Sequence, residues 1–252
     1  MIKSRINPAF YLVTFFFFTW IVLFEFFLPV NNILPKPTIA LQSIYDLFKE
    51  YKLGWNYLIT ISVIYLSLIL AYYFVLILFP LIHTRNFISD LISAVDNLFK
   101  YVPQIILATI LIIWFPNSDT TPFIFAFLFA FMSLVIFSKP LVDSLSSDYY
   151  DMIKTFGVNN KIISRKILWK AVQPELIQHI IKLNFHLWAS IIIFEFINLS
   201  SGLGVILRQI LQFRDLSAFL AYFFGLVISI FISTKLIIFI KRKFFFWEVE
   251  EQ

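Results

Sequence analysis

The chain has 252 residues, of which 60% are hydrophobic and only 14% charged. A soluble domain of that length needs more polar surface, and here the apolar residues come in long runs, so the medium they meet is lipid. The net charge of +5 then reports topology rather than nucleic-acid binding, and the absence of cysteine excludes disulfides and thiolate metal sites.

Six spans are predicted, over residues 8–28, 57–82, 101–115, 122–142, 175–197 and 216–240. Hydrocarbon of about 30 Å is crossed at about 1.5 Å per helical residue. The expected fold is all-α, a polytopic membrane protein with six transmembrane helices and residues 1–252 as a single transmembrane domain. The first run is too long for a signal peptide and no small-residue cleavage site follows it, so it reads as an anchor. The third is short and is expected to extend backwards into the preceding loop. With the N-terminus inside, the cytoplasmic segments hold Lys3, Arg5, Arg85, Lys100, Lys139 and Lys241-Arg242-Lys243. The outer segments hold only Lys36, Lys49, Lys52, Arg208 and Arg214, which places both termini in the cytoplasm. The thirty-three phenylalanines are assigned no function.

After the first span, "LPKPTIALQSIYDLFKEY" carries Ile39, Leu41, Ile44, Leu47 and Phe48 at helical spacing. Pro37 or Thr38 opens this amphipathic helix, which is expected to rest on the outer membrane interface.

The loop 143–174 is the most polar stretch between two apolar runs. "SLSSDYYDMIKTF" continues the fourth span as helix, and Gly157 ends it in a left-handed conformation. Asn159 caps a second short helix over 161–170. Ile162, Ile163 and Ile167 give that helix an apolar side, and Lys161, Arg165 and Lys166 a basic one. Pro174 is placed at the start of the fifth span. A helix–Gly–helix lever joined to two spans suits docking to a cytoplasmic partner; the blander reading is a basic loop obeying the positive-inside rule.

These residues resemble the permease subunits of binding-protein-dependent ABC importers, in the branch handling nitrate, sulfonates and taurine. The family's loop motif runs Glu-Ala-Ala, three residues, Gly, nine residues, Ile, then Pro. Asp151, Gly157, Ile167 and Pro174 stand at its positions, with Met152 and Ile153 in place of the alanines and Lys170 at an earlier proline position. "ILPKP", "YVPQIILATILIIWF" (with Pro116 for the family's closing Gly), Trp188, Glu195 and "SSGLG" follow in the family's order. The resemblance implies a type I importer permease of the bacterial cytoplasmic (inner) membrane, working with a second copy of the permease, two ATPase subunits and an extracytoplasmic solute-binding protein. Coupling to the ATPase falls on Asp151, Met152, Ile153, Gly157, Asn159, Lys161, Ile163, Arg165, Ile167 and Pro174. The larger Met152 and Ile153 suggest an ATPase groove changed to match. No Gly-x-x-x-x-Gly-Lys-[Ser/Thr] occurs in the chain, so ATP and Mg²⁺ are expected on the partner, with no cofactor and no enzymatic activity here.

Within and after the fifth span, Lys182, Asn184 and His186 are unusually polar, and Lys182 and His186 share a helical face that would ease passage of an anion. Glu195 is a costly group near the outer end, expected in an ion pair with Arg208 or in contact with solute. Ser201, Gly202 and Gly204 form a turn which the family places beside the translocation path, as it does Trp188. Glu175, His179 and His186 also share a face, but that spacing is common by chance and no metal is expected. An ion-gradient-driven secondary transporter would show internal repeats or interrupted spans, and a lipid-modifying enzyme would show clustered His, Asp or Glu at one interface. None of these is evident in the sequence.

Overall fold

The computed structural model describes residues 8–28, 34–84, 86–99, 101–116, 118–144 and 163–245, apart from the side chains of 8–10, 13, 83–84, 86, 99 and 164–166. Among the described residues every regular element is helical. Helix α1 (Pro8–Ile21) runs into π-helical turns (Val22–Phe27), and α2 (Pro37–Lys49), α3 (Leu53–Thr84), α4 (Asn86–Phe99), α5 (Gln104–Trp114) and α6 (Thr121–Asp143) follow. A π-helical stretch (Ile163–Leu168) continues without a break into α7 (Trp169–Asn198). The chain closes with α8 (Leu203–Phe213) and α9 (Leu216–Phe244).

Among the described residues, four helices are long and apolar enough to cross a bilayer: α3, α6, α7 and α9. The first and third predicted spans differ from expectation. In the first, α-helix gives way to π turns at Val22, three residues before Glu25. In the third, α4 stops at Phe99 and α5 restarts at Gln104, because Pro103 has no N–H to continue an α-helical ladder.

The described residues group into two compact units. One comprises the described residues within 1–55 and 206–228, the other those within 56–205 and 229–252. In the first unit, Phe17 and Trp20 pack on Phe224 with ring centroids 5.3 and 5.9 Å apart. Glu25 accepts a hydrogen bond from Thr38 Oγ1 at 3.1 Å, which fixes the start of α2 against the π turns. Pro37 occupies the first turn of α2, as its fixed φ favours. This helix buries Ala40, Ser43 and Leu47 and leaves Leu41, Ile44, Tyr45 and Phe48 exposed.

The second unit is built on the pairing of α6 with α7. Ala126, Ala130 and Leu134 recur every four residues on α6 and are fully buried. Small residues there let the two backbones approach, as helices in lipid require when no hydrophobic force drives them together. Phe125 stacks on Phe194 at 5.0 Å. Hydrogen bonds then tie α3 and α9 to α7. Tyr65 O–H donates to Asn184 Oδ1 (3.3 Å), Asn184 Nδ2 donates to Ser233 (3.0 Å), and Gln173 Nε2 donates to Tyr72 (3.0 Å).

The short apolar helix α5 occupies the place of the third span, with α4 before it. Asn198, at the C-terminal end of α7, donates to Ser118 O at 3.2 Å, and Thr121 at the start of α6 donates to Phe115 O at 3.3 Å. The C-terminal end of α5 is therefore level with the Asn198 end of α7. Its first residue, Gln104, lies two turns farther in, where its Oε1 accepts from Ser190 at 2.8 Å. Near the opposite end of α6, Lys139 Nζ donates to Ser89 O on α4 at 3.4 Å.

Candidate functional site

Helix α7 has two sides of opposite character. Leu176, Ile180, Leu183, Leu187, Ile191 and Phe194 form a buried row. The opposite row, Glu175, Gln178, Lys182, His186 and Ile193, is exposed. Lys182 and His186, expected together, do stand on one open face. Asn184, two residues from each, turns the other way and is fully buried among Tyr65, Ser233 and Thr234. The polarity of this stretch thus divides between interhelical hydrogen bonding and an open surface. His179 belongs to the packed side, with its Nε2 2.9 Å from Ser133 Oγ and its ring stacked on Phe137 at 3.9 Å. Trp188 is sealed inside the unit, 6.5 Å from the ring of Tyr57, with no hydrogen-bond partner for its indole N–H.

At its C-terminal end α7 stops on Leu199 in a left-handed conformation (φ 63°). The turn that follows is stitched on every side. Ser201 Oγ donates to Asp119 Oδ1 at 3.1 Å, and Asn198 Nδ2 donates to Ser200 Oγ at 2.9 Å. The opening N–H groups of a helix have no partner within it. Here three consecutive ones are met by side chains. Gly202 N–H donates to Asn56 Oδ1 (2.8 Å), Leu203 N–H to Thr60 Oγ1 (2.9 Å) and Gly204 N–H to Glu195 Oε2 (3.0 Å). The Thr60 hydroxyl in turn donates to the same carboxylate, at 2.8 and 2.9 Å from the two oxygens.

Glu195 is completely buried, and the partners that hold its carboxylate are a hydroxyl and a backbone amide. The carboxylate caps the first turn of α8, where the positive end of the helix dipole faces it. The two glycines have separate reasons. Gly202 adopts φ +111°, and a β-carbon on it would run into the Glu195 carboxyl group. A β-carbon on Gly204 would meet the Ile192 carbonyl and the Phe196 amide of α7, which cannot yield. Asn56 and Thr60 escaped the sequence reading; their only signal was an amide and a hydroxyl one turn apart at the start of the second span.

Of the proposed coupling residues, Asp151, Met152, Ile153, Gly157, Asn159 and Lys161 lie outside the described residues, as does the side chain of Arg165. Ile163 is fully buried, so it packs within its own chain, and Ile167 is partly exposed. Pro174 does not open the fifth span. It lies inside α7, five residues after Trp169, where it removes one hydrogen bond from the helix. The first turn of α7 is instead anchored by Trp169, whose ring meets Phe79 at 5.0 Å and Tyr72 at 5.5 Å.

No curated protein matches the chain. Residues 77–244 match the family described as "Binding-protein-dependent transport system inner membrane component". That match spans the interrupted third span, the α6–α7 pair and the stitched turn, and the family implies association with an ATPase and a binding protein. The chain belongs to this family, and is accordingly an integral inner-membrane permease component of an ABC importer.

Proposed function

We propose that two copies of this chain line one path for a small anionic solute, a sulfonate-, nitrate- or taurine-like anion or a vitamin precursor, delivered by an extracytoplasmic binding protein. The observation that carries this reading is the division of α7, with Lys182 and His186 exposed together on one row while Asn184 and Glu195 are sealed on the other. Cationic groups on a span are costly against lipid and fit a wet cavity. With both termini in the cytoplasm, the loop before Ile163 docks two ATPase subunits, which bind the ATP and Mg²⁺. Because the described chain runs helically from Ile163 through Asn198, a push on that loop is delivered to the lining helix itself. Nucleotide then biases a two-state cavity between inward- and outward-facing forms.

The interruption in α4–α5 is a feature of ion-coupled transporters too, but the family match argues against that alternative. The experiment is to co-express the permease with its cognate ATPase and purify the complex with and without Gly157→Trp. A stable complex whose hydrolysis responds to the loaded binding protein, and loses that response in the variant, is expected. Hydrolysis indifferent to Gly157→Trp would overturn the coupling role of the loop.

A further inference from the structure

The break between Phe99 and Gln104 sits where a membrane protein can least tolerate one. Helix α5 has 11 residues and so covers about 16 Å, roughly half of the hydrocarbon. Its C-terminal end is level with the Asn198 end of α7, and Gln104 bonds Ser190 two turns inward. The break therefore lies near mid-depth. Non-helical backbone at that depth persists only if protein buries it or water reaches it. Among the described residues of one copy nothing buries it: Tyr101, Val102, Pro103 and Gln104 are all exposed, Tyr101 by 86%. Beside it runs the open face of α7, where Ser190 follows Lys182 and His186 at four-residue steps.

Resting on the path reading above, we infer that the joint Tyr101–Gln104 is a polar subsite of that path, and that Gln104 contacts the solute as it passes. Ser190 donates its hydroxyl proton to Gln104 Oε1 at 2.8 Å. That bond occupies the amide oxygen, so the NH₂ group is the donor that Gln104 has left for a solute. A neutral donor held in place, with Lys182 and His186 farther along the same row, suits an oxygen of an anionic or strongly polar solute.

The native chain has no cysteine, so single cysteines report directly. Tyr101→Cys, Gln104→Cys, Lys182→Cys, His186→Cys and, as a comparator on an apolar exposed face of α9, Ile228→Cys are placed in the complete transporter. Each is treated with two membrane-impermeant methanethiosulfonates, one carrying a sulfonate and one a trimethylammonium group. The joint positions should react at least about tenfold faster than Ile228→Cys, since only wetted thiols ionise and react. The sulfonate reagent should be favoured over the cationic one at Gln104→Cys, and Lys182→Ala should remove that preference. If Tyr101→Cys and Gln104→Cys are as inert as Ile228→Cys while Lys182→Cys and His186→Cys react, the subsite is refuted and the path on α7 stands. If all four are inert, the path reading itself fails. Two joint positions are used so that poor folding of one variant leaves the other to decide.

Discussion

The backbone N–H of Gly204 donates to Glu195 Oε2 at 3.0 Å, so the helix after the turn is capped by a carboxylate of the helix before it. Thr60 completes the arrangement by donating to the same carboxylate while accepting from Leu203 N–H. Replacing Glu195 by Ala strands a buried hydroxyl and a buried amide, and should destabilise the protein by about 3 kcal/mol. Glu195→Gln keeps an acceptor oxygen and should cost roughly half as much. Thermal unfolding in detergent, followed by loss of the monodisperse elution peak, checks the order Ala worse than Gln. Equal loss in both would show that charge, not hydrogen bonding, is what the turn needs.

Close backbone approach makes a separate prediction. Gly204→Ala forces a methyl group against the Ile192 carbonyl and should cost about 1–3 kcal/mol or more. Gly225→Ala places the same methyl in open space within α9 and should be neutral or slightly stabilising, since alanine is the better helix former. Folded yield and melting temperature of the two variants should therefore move in opposite directions or differ by several degrees.

Span location was legible in the sequence because runs of apolar residues set it, and α3, α6, α7 and α9 fall where the runs are. The amphipathic helix Pro37–Lys49 was legible too, from Pro37 and helical spacing. How its apolar residues divide was not: Leu41, Ile44 and Phe48 stay exposed, whereas Leu47 is enclosed together with Ala40 and Ser43. Hydropathy cannot distinguish an apolar face turned to lipid from one turned to protein, because both media are apolar. The same ambiguity hid the interruption at Pro103, since proline within an apolar run reads equally as a kink or a break. At Glu195 the sequence showed the cost of a buried charge but not its partners. Those come from Thr60, 135 residues away, and from a backbone amide that carries no side-chain signal.

The two sides of α7 should respond differently to substitution. Asn184→Leu removes hydrogen bonds to Tyr65, Ser233 and Thr234 and should cost about 1–2 kcal/mol, the usual scale for such bonds between membrane helices. Lys182→Ala with His186→Ala should leave stability unchanged and lower solute uptake in cells that depend on the transporter. Unchanged uptake in the double variant would remove the anion-guiding role.

Anchoring of the start of α7 is tested at Trp169. Its contacts with Phe79 and Tyr72 fix the start of α7, and Trp169→Ala should cost about 3–5 kcal/mol. In the purified complex, stimulation of ATP hydrolysis by the loaded binding protein should fall more than basal hydrolysis does. Trp169→Phe, which retains an aromatic ring, should restore most of the response.

On the proposed path, α7 presents one wetted face whose access is set by nucleotide on a partner. The most direct measurement is labelling of His186→Cys from the extracytoplasmic side by a membrane-impermeant thiol reagent, with the transporter either nucleotide-free or trapped with ATP and vanadate. Fast labelling is expected in the trapped state, slow labelling without nucleotide, and no labelling of Asn184→Cys in either. Labelling of His186→Cys at the same rate in both states, or of Asn184→Cys as fast as His186→Cys, would contradict the proposed path.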